Sequence, residues 1–133
     1  MTSDFARQTA RIEAGLQKPV IEVGNLSAVR DFTDVRDVVR AYWLCLEKGV
    51  PGEVYHVCSG QARRVSEILR FYLDHGTVRI AVRKNPKRFR AVDAPVLVGD
   101  ATRLKKRTGW KPQIAFENTL RDILGHWRER CAS

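Results

Sequence analysis

Residues 28–43 read AVRDFTDVRDVVRAYW. A short strand, Asp31-Phe32-Thr33, preceded by Arg30, gives way from Asp34 to apolar residues spaced as on a helix. Thr33 or Asp34 can cap that helix, and Val35, Val38, Val39, Tyr42 and Leu46 then share one face, with Arg36, Asp37 and Arg40 off it. Lys48 to Gly52, KGVPG, closes it. Strand followed by helix is the unit of an α/β protein, and the rest of the chain repeats the alternation.

Upstream, residues 3–16 place Phe5, Thr9, Ile12 and Leu16 at helical spacing, with Ser3 or Asp4 as N-cap. PVIEVGN (19–25) is a short strand ended by Gly24 and Asn25. Downstream, EVYHVCSG (53–60) is an apolar run of the kind found in buried parallel strands. Val65, Ile68, Leu69 and Tyr72 mark a helix, VRIAV (78–82) a strand, and RKNPKRFRAVDAP (83–95) a basic loop broken by Pro86 and Pro95. VLVGD (96–100) leads into a short helix over 101–108, which Gly109 ends, and a last helix over about 116–128 carries Leu120, Ile123, Leu124 and Trp127.

The 133 residues suffice for one hydrophobic core, so the expectation is a single unit over 1–133. The strands are few and short for five helices, and the apolar faces outnumber the sheet available to cover them. Such a chain reads as part of something larger. No apolar run reaches the length of a membrane span and the N-terminus lacks a signal peptide's apolar centre, so the expectation is a cytoplasmic protein that does not engage a membrane. Three scattered cysteines, Cys45, Cys58 and Cys131, form neither a CxxC nor a metal-ligand pattern; they read as reduced thiols, the first two in the core.

The net charge of +9 predicts an anionic partner without naming the anion. Nucleic acid is the less favoured choice: clusters at 83–90 and 103–107 could touch phosphates, but there is no zinc finger, aromatic RNP-type motif or heptad. His56, His75 and His126 stand apart from any nucleophile, so no catalytic residue and no metal ligand is assigned.

Four blocks carry a resemblance: SDFARQTARIEAG (3–15), VGNLSAVRDFTDVRDVVRAYW (23–43), GEVYHVCSG (52–60) and DAPVLVGDATRLKKRTGWKPQIAFENTLRDILGHW (93–127). In this order they resemble the C-terminal, substrate-binding part of extended short-chain dehydrogenases/reductases, the NAD-dependent epimerase/dehydratase family, and within it the GDP-mannose 4,6-dehydratase and GDP-4-keto-6-deoxy-mannose reductase group. The resemblance implies an α/β fold: a partial Rossmann-like C-terminal half, short strands packed by about five helices, without the N-terminal nucleotide-binding strands. It also implies a GDP-sugar or GDP ligand, its diphosphate held by Arg30 in VRDF and by Arg90 in RAVDAP, with Asp93 beside it. Arg7, Val23 and Asn25 fall where relatives approach the nucleotide or sugar.

The chain departs from the pattern in two respects. A GxxGxxG turn is absent from all 133 residues, and so is a Tyr-x-x-x-Lys pair: Tyr42, Tyr55 and Tyr72 are followed four positions on by Leu46, Ser59 and Gly76. The expectation is therefore no cofactor bound by this chain alone, NAD(P) belonging only to a complete family member, and no catalysis by itself. Its partners would be the GDP-sugar and either a second copy or a separate chain carrying the Rossmann half.

Overall fold

A computed structural model describes residues 1–88 and 94–132. The fold is α/β, with five helices and short parallel strands among the described residues. Among the described residues no helix is long and apolar enough to cross a membrane. The chain divides into two compact units, each assembled from separated segments.

The first unit takes in 1–28, 64–95 and 117–133. Helix α1 (Thr2–Glu13) buries Phe5, Ala6, Thr9, Ala10 and Ile12 against strand β1 (Val20–Val23) and a later helix described below as α3. Its N-cap is Met1, with no side-chain cap. Ser3, one of the two residues the sequence offered for that role, accepts a hydrogen bond from the Trp127 indole at 2.9 Å instead. Leu16 lies beyond the helix and is exposed. Ile21 and Val23 point into the core, as alternation along a strand requires.

In the second unit, 29–63 and 96–116, strand β2 (Val29–Asp31) and helix α2 (Val35–Lys48) are formed by the stretch that opened the sequence reading. Asp34 is the N-cap, its carboxylate accepting from the Arg36 amide at 2.9 Å. Strand β3 (Ala62–Arg64), which the sequence did not announce, flanks β2 on one side. Helix α3 (Val65–His75), with Val65, Ile68, Leu69 and Tyr72 buried, returns the chain to the first unit. There strand β4 (Ala81–Lys84) pairs parallel with β1, Val20 opposite Ala81 and Val23 opposite Lys84. The strand starts three residues later than the 78–82 run suggested, and a 3-10 turn over Pro86–Arg88 follows it.

Strand β5 (Val96–Leu97) lies parallel on the other side of β2, Val29 opposite Val96 and Arg30 opposite Leu97. Helix α4 (Thr102–Thr108) ends at Gly109 in the left-handed conformation, φ 74°. Helix α5 (Phe116–Ala132) buries Leu120 and Leu124. Arg128 secures it in the first unit by two hydrogen bonds to Glu13, 2.7 and 2.8 Å, and one to the His75 carbonyl, 2.9 Å. The same pair holds the Glu13 carboxyl below its usual range.

Two further elements differ from the sequence reading. Residues 53–60 form no strand, although Cys58 is buried and Tyr55 and Val57 pack on the core of Ala41, Ala101, Leu104 and Trp110. A strand exists only beside another, and among the described residues none pairs with this segment. On α2 the apolar row is the outward one: Val35, Val39, Tyr42, Trp43 and Leu46 are exposed, Leu46 at 83%, while Asp37 and Ala41 are buried. The helix therefore packs with a carboxylate inside.

That carboxylate is well supplied with donors. Asp37, 2% exposed, accepts from Arg40 at 2.6 Å, from the Gln113 amide at 3.0 and 3.1 Å and from the Ile114 amide at 3.0 Å. Its main-chain oxygen takes the Trp110 indole N–H at 2.9 Å. Burial by itself would raise the Asp37 pKa; the Arg40 pair and the two amides outweigh it and hold the carboxyl below its ordinary value. A depressed folded pKa stabilises the protein above the unfolded-state value near pH 4, and the contribution disappears as pH falls through the folded value. Asp37→Asn is thus expected to lower unfolding free energy by about 2–3 kcal/mol at neutral pH, with the two proteins converging below pH 4; denaturant titrations at pH 7 and pH 3 check both parts.

Gly24 packs so closely on the 3-10 turn that a Cβ there would run into the Arg88 carbonyl. Gly24→Ala should cost about 1–3 kcal/mol by thermal or chemical unfolding, whereas alanine at Gly125, where a Cβ meets nothing, should leave stability unchanged or improve it.

Candidate functional site

Alternation along β2 sends Arg30 and Asp31 to opposite faces of a three-stranded sheet. Asp31 faces protein. Its Oδ1 accepts from the Ser59 amide at 3.0 Å and the Ser59 hydroxyl at 2.5 Å, and its Oδ2 from the Gly60 amide at 2.8 Å and the Gly99 amide at 3.3 Å. One carboxylate thereby ties β2 to the end of the 53–60 segment and to the turn after β5. Ser59 Oγ in turn accepts from the Gln61 amide at 3.0 Å. Gly99 is required at this junction, because a Cβ would collide with the Cys58 thiol. Burial, and after it the Asp31 charge, push the Cys58 thiol up, which favours its protonated form at neutral pH.

Arg30 is half-buried on the other face, where its Nη1 donates to the Val29 carbonyl at 2.7 Å. Its register partner Leu97, 63% exposed, shares that face. Leu97 is a site neighbour that the sequence reading missed, since VLVGD looked like any short apolar strand and only the pairing with β2 sets it beside the arginine. The sequence repeats an Arg-Asp pair, Arg30-Asp31 and Arg36-Asp37, and the second arginine, Arg36, chelates Asp34 at 2.8 and 2.9 Å and stays with the helix cap.

The first unit holds the other sequence candidates. Val23 is fully buried, and only its backbone is available to a neighbour; its carbonyl accepts from the Asn85 amide at 2.9 Å. Asn25 folds its side chain onto the main chain, Oδ1 accepting from the amide of Ser27 at 3.0 Å and from its hydroxyl at 2.7 Å. Arg7 is paired with Asp4 at 3.0 Å, and the same carboxylate accepts from Gln8 at 3.0 Å and Arg88 at 2.8 Å. Burial raises the Asp4 pKa less than the two guanidiniums lower it, and the net position is below the usual range. Arg88 is the basic residue here that the sequence reading left in an undifferentiated loop. Its main chain touches Gly24 while its side chain meets Arg7's partner, so β1's end and the Arg7 helix are joined through it. Arg90 and Asp93 lie outside the described residues.

A shallow cleft of about 360 Å³ is lined by Val50, Glu53, Tyr55, Arg103, Lys106 and Arg107. Within it Arg103 pairs with Glu53, and Arg107 donates to the Lys48 carbonyl at 2.6 Å, closing the C-terminus of α2. His75 stacks on Phe71 with ring centroids 4.0 Å apart. Among the described residues no three His, Cys, Asp or Glu side chains could together hold a metal ion.

Comparison with known proteins agrees with this architecture. The family model for GDP-mannose 4,6 dehydratase matches residues 1–123. A GDP-6-deoxy-D-mannose reductase of Pseudomonas aeruginosa is 41% identical over 125 residues, 94% of this chain and 41% of the relative. GDP-mannose 4,6 dehydratase 2 of Arabidopsis thaliana is 32% identical over 123 residues, 91% of this chain and 32% of the relative. The solved RMD of Pseudomonas aeruginosa, complexed with NADPH, superposes with a TM-score of 0.89 at 38% identity, over 97% of this chain and 42% of that one. UDP-glucose 4-epimerase of Thermotoga maritima, solved with UDP-glucose, superposes with a TM-score of 0.75 at 26% identity, over 95% of this chain and 39% of that one. The chain spans about two fifths of the length of the Pseudomonas relative. Its fold is that of the C-terminal half of a Rossmann-like short-chain dehydrogenase/reductase, and the chain belongs to the GDP-mannose 4,6-dehydratase family.

Proposed function

We propose that the chain is the nucleotide-sugar-binding segment of a GDP-hexose dehydratase or reductase: Arg30 grips the diphosphate, and hydride chemistry is left to a cofactor-binding part that these residues do not include. The observation that carries the reading is the division of labour on β2. Asp31 turns its carboxylate to backbone amides of the opposite face. Arg30 stands on the other face next to an exposed Leu97. A guanidinium's planar fork matches phosphate oxygens two at a time, which suits a diphosphate better than a lysine's point charge would. An adjacent aliphatic side chain supplies an apolar wall for the ligand's uncharged parts.

Arg90, with Asp93 beside it, is the second diphosphate contact on motif grounds. For the nucleotide or sugar the candidates remain Arg7, Val23 through its backbone, and Asn25.

A nicotinamide cofactor does not fit the residues present. Its diphosphate needs a glycine turn between a strand and a helix whose amides are free to face an anion. Between β5 and α4 the turn contains Gly99, but that amide faces the Asp31 carboxylate, and an acid occupies the position an anion would take. The other strand-to-helix passage of the second unit, Phe32-Thr33-Asp34, has no glycine. No proton-transfer pair of the Tyr-x-x-x-Lys type is present either. No step of the reaction is assigned to this chain.

Calorimetric titration with GDP and GDP-mannose at moderate salt, with UDP as control, tests the reading. Saturable binding that favours GDP is expected, and Arg30→Ala should weaken it about tenfold or more, the loss of charge-assisted hydrogen bonds to one phosphate group. Arg36→Ala, which removes the contact to the Asp34 cap, should change affinity less than about twofold. Equal effects of the two substitutions would remove the diphosphate role from Arg30.

A further inference from the structure

Arg63 is the middle residue of β3, the strand that flanks β2, and is half-buried. Its guanidinium lies over the Phe116 ring, 4.9 Å from the ring centre, and its Nη2 donates to the Gln61 side-chain oxygen at 3.0 Å. Phe116 in turn packs on Phe32, with ring centres 5.4 Å apart and planes inclined by 32°. Phe32 directly follows β2 and stands two residues after Arg30, so alternation gives these two side chains one face. Through Phe116 and Phe32, a second guanidinium is thereby carried to the face that Arg30 and Leu97 occupy. All five residues belong to the second unit.

This arginine is oriented rather than loosely solvated. The aromatic ring holds the guanidinium by its face, and the Gln61 oxygen holds one edge, which leaves the planar fork a defined direction. Like charges on one face of neighbouring strands repel. Asp31, the acid next to Arg30, is turned to the opposite face. An anion received between the two arginines converts that repulsion into attraction on both sides. Neighbouring strands run about 5 Å apart, a spacing that suits two phosphate groups sharing one bridging oxygen better than a single phosphate.

We propose that Arg63 is a further phosphate ligand, which clasps the diphosphate together with Arg30 from the adjacent strand and so sets the preference of the site for nucleoside diphosphates over monophosphates. The inference deepens the reading given above and rests on it for placing the anion on the Arg30 face.

The test follows the arginine Nε–H resonances of the nitrogen-15-labelled chain during titration with inorganic pyrophosphate, with calorimetry of GDP and GMP beside it. Arg30→Ala and Arg63→Gln assign the two signals by their disappearance. Pyrophosphate is expected to shift both along one saturation curve. Arg63→Gln should weaken GDP about tenfold, the loss of one charge-assisted fork, and narrow the ratio of GDP to GMP affinity at least about fivefold. Arg63→Lys, which keeps the charge without the fork, should restore only part of the ratio. An arginine that merely packs on Phe116 would change the melting temperature and leave that ratio where it was. Pyrophosphate shifts confined to Arg30, or an affinity ratio unchanged by Arg63→Gln, would overturn the role of Arg63 and leave the Arg30 reading standing. Shifts at both arginines without any preference for GDP over UDP would instead remove the guanine nucleotide and keep the two-arginine clasp. Shifts at neither arginine would sink both.

Discussion

A carboxylate that accepts main-chain N–H groups from a distant segment is what closes the second unit. Its strands have only two or three residues, too few for ladders to satisfy the backbone, and the turns around them bring amides that need acceptors. Asp31 supplies these for Ser59, Gly60 and Gly99, and Asp37 for Gln113 and Ile114. Each bond joins residues tens of positions apart in sequence, so each replaces a piece of sheet. In the repeated Arg-Asp pairs the aspartates are therefore the architectural members. Of the arginines, Arg36 pairs with the Asp34 cap and Arg40 with Asp37, while Arg30 lies on the face that Asp31 does not use.

This arrangement explains why α2 is turned with Asp37 inward. The helix is fixed by polar bonds and by Ala41, Leu44 and Cys45 against the small core around Leu104 and Trp110. The larger apolar residues face out. Burying a side chain of the size of Leu or Trp is worth roughly 1.5–3 kcal/mol, so five left in water represent a driving force larger than most single contacts in the fold. The unladdered run before Ser59 points to the same deficit. The first unit shows no comparable deficit on α1, whose apolar side is covered by β1 and α3, with Glu13 and Arg128 tying α5 to it.

Most helices were legible in the sequence because their apolar spacing and stops are local: Gly109 ends α4 in the left-handed region, and Asp34 caps α2 as its position promised. The burial of α2 was not legible. Periodicity identifies an apolar face but not whether anything covers it, and here the covered face is the one with the aspartate. The strand expected at 53–60 failed for a related reason, since sequence can show β propensity but cannot provide a neighbour. Strand β3 was missed because Ala62-Arg63-Arg64 has no apolar pattern and is set by its pairing with β2. At the candidate site Arg30 could be found from its motif, whereas Leu97 and Arg88 emerge only when register and close packing bring them to Arg30 and to Gly24 respectively.

Amide hydrogen exchange on the isolated chain, resolved by residue, tests the central claim most directly. The account predicts strong protection at Ser59, Gly60, Gly99, Gln113 and Ile114, which lie outside any helix or ladder but donate to the Asp31 and Asp37 carboxylates, and little protection at Val54 to Val57. Fast exchange at the five amides, or protection of 54–57 equal to theirs, would contradict it: the first would deny the carboxylates their structural role, and the second would mean the segment already has the partner it is here said to lack.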